Sequence, residues 1–231
     1  MTLRRLAGVL GVLAPPIAAA IILIAGLLTP GYDPLARTIS RLAEPGLPAA
    51  TAVELAIGLV GISSLALAMT LGPGSTGGRA LLAIAGAALL LAAAIRLDPA
   101  SARATTEHRL ATTIAMVTLS GAPLAFARSL GRRAGWGAYG RTSFAVGAAE
   151  VGMMLVGLAL LPTSFAEWGA WERCFLALPM AWMVLVSARL LSARRREPMF
   201  SSTAESSSWA SKVSADDTMK AIAASHSNRG E

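Results

Sequence analysis

Apolar residues in this chain come in six long runs, and most of the charged ones are confined to the short segments between them. The runs cover residues 6–28, 52–72, 80–96, 108–127, 142–162 and 170–192. At about 1.5 Å of rise per residue, each is about long enough to cross the roughly 30 Å hydrocarbon core of a bilayer as a helix. In lipid the backbone must satisfy its own hydrogen bonds, which leaves helices or closed barrels. Barrel strands alternate apolar and polar positions, and these runs do not. The pattern predicts an all-α, polytopic integral membrane bundle of six transmembrane helices.

Composition agrees. The 231 residues are 55% hydrophobic and 14% charged, where soluble domains carry about 25% charged residues. Six spans with short connections leave no room for a second folded domain, so residues 1–196 are read as the transmembrane domain. Residues 197–231 turn Ser-rich and mixed in charge, with the chain's lysines at Lys212 and Lys220. Such a segment cannot build a core and is expected to be a disordered cytoplasmic tail. The first run follows Arg4-Arg5 and extends to Leu28, beyond the roughly 7–15-residue core of a secretory signal. It is read as an uncleaved helix, bent at Pro15-Pro16.

The net charge of +7 is a matter of topology and not of nucleic-acid binding. One set of loops holds Arg4, Arg5, Arg79, Arg128, Arg132, Arg133, Arg141, Arg189, Arg194, Arg195 and Arg196, with no acidic residue. The other holds Arg37, Arg41, Arg96, Arg103, Arg109 and Arg173 among Asp33, Glu44, Glu54, Asp98, Glu107, Glu167 and Glu172. This bias predicts that both termini are cytoplasmic. The preference for arginine over lysine and the abundant alanine suggest a GC-rich genome, and the chain is expected in a bacterial plasma membrane. The single cysteine, Cys174, is expected to pack in the core.

The outer segments look organised. Asp33-Pro34 is a helix-start signal, and Leu35, Ile39 and Leu42 recur at helical spacing. The pattern predicts a short amphipathic helix at the outer interface. Thr51 to Glu54 and Ser164 to Glu167 read as capping boxes for the spans that follow. Asp98-Pro99 is expected to open a helical turn running to Arg103, with Glu107-His108-Arg109 at the mouth of the fourth span. Trp168 and Trp171 fit an interfacial aromatic belt. Ala83-Xaa-Xaa-Xaa-Ala87 and Ala148-Xaa-Xaa-Xaa-Gly152 fit close helix packing.

Chemistry is sparse. Outside the tail His108 is the only histidine, which argues against a zinc site, and no metal or cofactor is expected. Gly72 to Gly78 reads as a cytoplasmic turn and not a phosphate loop. Glu150 lies near the middle of the fifth span. An ionised carboxylate there costs about 2.5–3.5 kcal/mol, so Glu150 is expected to face the bundle interior, paired or protonated. Ser63, Ser64, Thr118 and Ser120 are its candidate partners. His108 reads most simply as an interfacial residue paired with Asp98 or Glu172. Ser40, His108 and either Asp98 or Asp33 also supply the residue types of an outward-facing hydrolase.

Gly31-Tyr32-Asp33, Ile39-Ser40-Xaa-Leu42, Asp98-Pro99, His108 at a span start and Glu172-Arg173 in the last span occur in that order. Together they resemble the bacterial six-helix membrane family known as domain of unknown function 998. The resemblance covers about residues 6–192, leaves out the tail and implies the topology without an activity. It singles out Tyr32, Asp33, Ser40, Asp98, His108, Glu172 and Arg173, which the topology also puts on one face. With Arg37, these residues are expected to form one outward-facing polar pocket for a membrane lipid headgroup or a small polar ligand. The alternatives are the Ser40/His108 hydrolase, a proton-coupled transporter centred on Glu150, and an accessory protein without a site.

Overall fold

The computed structural model describes residues 2–71 and 74–193. Its helices are α1 (Leu3–Leu28), α2 (Ala50–Thr70), α3 (Thr76–Ala94), α4 (Ala102–Gly131), α5 (Gly137–Leu160) and α6 (Trp168–Ala193). A 3-10 helix, Ile39–Ala43, lies between α1 and α2. Among the described residues there is no strand, and these six helices are long and apolar enough to cross a membrane. The chain is a multi-pass membrane protein. α1 runs on through Pro15 and Pro16. The expected tail lies outside the described residues.

Consecutive helices pack as antiparallel neighbours, α1 on α2, α2 on α3, α3 on α4 and α4 on α5. Small residues set the closest approaches. A Cβ on Gly61 of α2 would stand 2.9 Å from the carbonyl oxygen of Gly86 in α3. One on Gly147 of α5 would stand 2.7 Å from the backbone nitrogen of Leu124 in α4. α6 closes the bundle. Its Trp182 Nε1–H donates to Ser143 Oγ of α5 at 2.7 Å, its Met183 lies against Ser64 of α2, and Gly8 and Gly11 of α1 pack on Leu191 and Ser187. Leu67, Leu82, Leu119, Phe126, Trp182 and Met183 fill one core, and Ala18, Leu42, Val53, Ala56 and Val60 fill another beneath the 3-10 helix. Cys174, expected in the core, is exposed on α6 instead.

The described residues of the two sets of loops lie at opposite ends of the helices. At the arginine-rich end, Arg79 Nε–H and an Arg133 guanidinium N–H donate to the carbonyls of Ala68 and Leu71, where α2 stops. Cations at a helix C-terminus satisfy carbonyls that have no partner in the helix and oppose its dipole. Arg133 and Arg189 also stand over the Trp136 ring, 5.7 and 5.5 Å from its centre. Burial, with the nearby Arg4 guanidinium, holds Arg133 below its ordinary pKa.

At the other end several local expectations give way. The short outer helix forms as the 3-10 helix and begins at Ile39, not at the Asp33-Pro34 signal. In an α-helix the Ile39 N–H would bond to the Leu35 carbonyl. Here the Leu35 carbonyl accepts Ala170 N–H of α6 at 2.9 Å, and Ile39 N–H goes to Glu172 at 2.5 Å. The loop spends its hydrogen bonds on α6, so a longer helix cannot form. Its apolar residues Ile39, Leu42 and Ala43 are buried and do not lie on an interface. The capping box at Thr51 to Glu54 is absent: Ala49 caps α2, and Glu54 pairs with Arg96 at 2.5 Å. α4 begins at Ala102, capped by Ser101 Oγ, which accepts Ala104 N–H at 3.2 Å. α6 begins at Trp168, four residues after Ser164, so Ser164 is not its N-cap and the expected capping box does not form. Ala148 and Gly152 are exposed, so that pair is not a packing contact.

Candidate functional site

The site is built where the segment after α1 folds back onto the first turns of α6. Gly31, at φ +68°, turns the chain after Pro30, in a conformation most side chains resist. Tyr32 then lies beside Arg173, whose Nη2–H donates to its hydroxyl oxygen at 2.6 Å. The Tyr32 hydroxyl lies 2.9 Å from the Arg37 carbonyl and 3.0 Å from that of Thr38, so its proton is given to the loop backbone. Burial raises the Tyr32 pKa and outweighs the lowering by Arg173, which keeps this donor protonated. Arg173 Nη1 donates to the carbonyls of Pro34, Arg37 and Gly169 at 2.7, 3.1 and 2.8 Å. Gly169, one turn earlier, leaves room for this seat, since a Cβ there would fall 2.3 Å from the Arg37 oxygen.

That clamp delivers Ser40 to His108. Ile39 N–H donates to Glu172 Oε2, fixing the residue before Ser40. Ser40 Oγ stands 3.0 Å from His108 Nε2. His108 is 3% exposed, in the first turns of α4. Its Nδ1 lies 2.6 Å from the Ile95 carbonyl and 3.1 Å from that of Ala92, at the end of α3. Both of these partners only accept, so the hydrogen-bond network assigns the proton to Nδ1. In the neutral ring Nε2 is then the acceptor, and the Ser40 hydroxyl donates to it. His108 is thus no interfacial residue paired with Asp98 or Glu172. The group that orients it is a pair of backbone carbonyls, not the acid expected from Asp98 or Asp33.

Above this pair opens a cavity of about 900 Å³, walled by Tyr32, Arg37, Ser40, Arg41, Glu44, His108, Arg109, Thr112 and Glu172 among others. Below it lies a narrow apolar cavity of about 50 Å³, lined by residues such as Ile57, Val60, Leu89, Met116 and Leu119. Ser40, His108, Thr112 and Glu172 line both. A groove of about 540 Å³ between α1 and α6 shares Tyr32 with the mouth, and Ile22, Ile39, Leu176 and Met180 with the apolar cavity. Leu23 and Leu27 on its α1 side are exposed.

Of the predicted pocket residues, Tyr32, Arg37, Ser40, His108 and Glu172 share the mouth, and Arg173 lies under the loop beside the groove. Asp33 and Asp98 line none of these three cavities. Each uses Oδ1 to accept an N–H two residues on, that of Leu35 and that of Ala100, both at 2.9 Å. The mouth also holds Arg41, Arg109 and Thr112, which were not among the predicted pocket residues. Thr112 lies one helical turn after His108 on the same face of α4, a spacing that could have revealed it.

Arg37, Arg41 and Arg109 line the mouth together with Glu44 and Glu172. Arg41 is paired with Glu44 at 2.6 Å, and among the described residues Arg37 and Arg109 make no ion pair. Glu150 sits apart, fully buried on α5, where Oε2 accepts the Ser120 hydroxyl at 2.8 Å across the α4–α5 contact. Ser120 is one of its four expected partners. Glu150 lines none of the three cavities. Among the described residues no cluster of His, Cys, Asp and Glu could hold a metal ion.

A family model described as a protein of unknown function, DUF998, matches residues 12–189. Neither the curated proteins nor the solved structures contain a match. The family match reaches all six helices and takes in Ser40, His108 and Glu172, and the chain belongs to the DUF998 family.

Proposed function

We propose that this protein binds the anionic headgroup of a membrane lipid in the outer mouth, with the lipid chain lying in the groove between α1 and α6. The observation that carries this reading is the join between a polar cavity holding Arg37 and Arg109 and an apolar groove whose wall includes exposed leucines. A headgroup phosphate suits guanidinium groups that no carboxylate occupies. An acyl chain suits the groove, since its surroundings are as apolar as the bilayer. The arginine asymmetry supports an orientation with both termini in the cytoplasm, which puts the mouth on the outer side. We assign the chain to a bacterial plasma membrane, as its resemblance to the bacterial six-helix family implies. Glu150 has no part in this binding.

The test is native mass spectrometry of the full chain released from nanodiscs holding equal amounts of phosphatidylglycerol and phosphatidylcholine. Phosphatidylglycerol should be retained preferentially. A hydrogen bond to a charged group contributes about 1.5–3 kcal/mol. Replacing Arg37 or Arg109 by Ala should therefore weaken retention by about tenfold or more. Equal retention of the two lipids, or variants indistinguishable from the natural chain, would reject the reading.

A further inference from the structure

We propose that Ser40 and His108 are a nucleophile–base pair that cleaves the carboxylic ester of an amphiphilic substrate. This rests on the headgroup reading for the position of the ester. In a glycerolipid the ester lies between the polar head and the apolar chain. Ser40, His108, Thr112 and Glu172 are the residues that line both the polar mouth and the apolar cavity below it. The groove that takes the chain meets that apolar cavity at Ile22, Ile39, Leu176 and Met180, so a lipid with its head in the mouth and its chain in the groove brings its ester past Ile39 to the adjoining Ser40.

The geometry is that of an activated serine. Ser40 Oγ is 3.0 Å from His108 Nε2, within reach for proton transfer. The ring is fixed by the Ile95 and Ala92 carbonyls on Nδ1–H, which hold Nε2 in its basic form toward the serine. They lie at the C-terminal end of α3 and take the orienting role an Asp plays in a Ser-His-Asp triad.

The step balances with water alone. The Ser40 oxygen adds to the ester carbonyl carbon as its proton passes to His108 Nε2. The tetrahedral adduct collapses, the C–O bond to the alcohol breaks, and His108 returns the proton to the departing alkoxide. Water then adds to the acyl-serine, giving its proton to His108. Collapse releases the carboxylic acid, and His108 reprotonates Ser40. Arg37 and Arg109 line the same mouth, where they hold the anionic head and so seat the ester beside Ser40. Ser40 and His108 are the catalytic residues, and Glu172 is a positioning residue acting through the Ile39 amide.

The experiment treats the full chain in detergent with an alkyl fluorophosphonate, whose phosphorus is attacked by an activated serine with loss of fluoride. The labelled site is read by peptide mass spectrometry, and lipid retention is read in parallel. Labelling should fall on Ser40 and drop at least tenfold in Ser40→Ala and His108→Gln. Ser40→Cys, nearly the same shape, is a second check, because it should fold and still lose the label. No label on a natural chain that retains phosphatidylglycerol would overturn the proposal and leave the binding reading in place. A label that persists in both Ser40 variants would overturn it too. A Ser40 label without selective lipid retention would support the dyad and remove the headgroup reading.

Discussion

Glu172 shows how one buried side chain acts through a neighbour's backbone. It is 8% exposed, and its Oε2 takes the Ile39 N–H, so it sets where Ser40 begins. A buried N–H left without an acceptor costs about 1–3 kcal/mol. Glu172→Gln still offers a carbonyl oxygen there, whereas Glu172→Leu offers none. The Gln variant is therefore expected to keep Ser40 labelling near the natural level. The Leu variant should lose most of it and be destabilised by about 1–3 kcal/mol in detergent unfolding. Equal labelling in the two would remove the positioning role. At this scale the sequence was legible in kind more than in direction. It assembled Ser40, His108 and Glu172 at one end, but it also drew in Asp33 and Asp98. Those two lie in an Asp-Pro context where the carboxylate can reach its own backbone two residues on, and that local bond won over the pocket. Nor could sequence show that His108 would be oriented by carbonyls, because every helix end has them and only packing selects which are used.

Helix existence was written in hydropathy, but helix contacts were not. Small residues at a four-residue spacing fit close packing, and an alanine-rich chain offers many such pairs. The face that is used on α5 includes Gly140 and Gly147, while Ala148 and Gly152 are exposed. A Cβ on Gly147 would come within 2.6–2.9 Å of Leu124 Cβ, N and Cα, and backbone atoms cannot swing aside. Gly147→Ala must therefore part α4 from α5, at a cost of about 1–3 kcal/mol. A Cβ on Gly152 meets nothing within 4 Å. Gly152→Ala loses only the backbone entropy of glycine and should stabilise the helix by about 0.5–1 kcal/mol. Thermal melting of the two variants in one detergent checks the order, and a Gly147→Ala as stable as Gly152→Ala would contradict the packing. The segment after α1 carries the same lesson. Its periodicity suits an amphipathic helix, but the carbonyls of Pro34, Leu35 and Arg37 are taken by α6, and no local rule foresees a partner that lies 130 or more residues away in the chain.

The molecule as a whole is polar along its axis. At one end Arg79 and Arg133 close the end of α2 and Arg133 and Arg189 cover Trp136, so part of the arginine excess there is structural as well as topological. At the other, arginines mix with carboxylates around the mouth. If the excess also sets orientation, the mouth opens away from the cytoplasm. The exposed cysteine makes this measurable, because replacing Cys174 by Ala clears the described helices of thiols. Single cysteines are then placed at Ala100, between α3 and α4, and at Ala134, between α4 and α5, both exposed. In intact cells a membrane-impermeant maleimide should label Ala100→Cys and leave Ala134→Cys unmodified until the membrane is permeabilised. The reverse pattern would put Ser40 and His108 at the cytoplasmic face. Their lipid would then be drawn from the inner leaflet, since the groove between α1 and α6 begins at the same end of the bundle as the mouth. Lipid binding and ester cleavage therefore stand or fall on their own tests, and orientation decides which leaflet supplies the substrate.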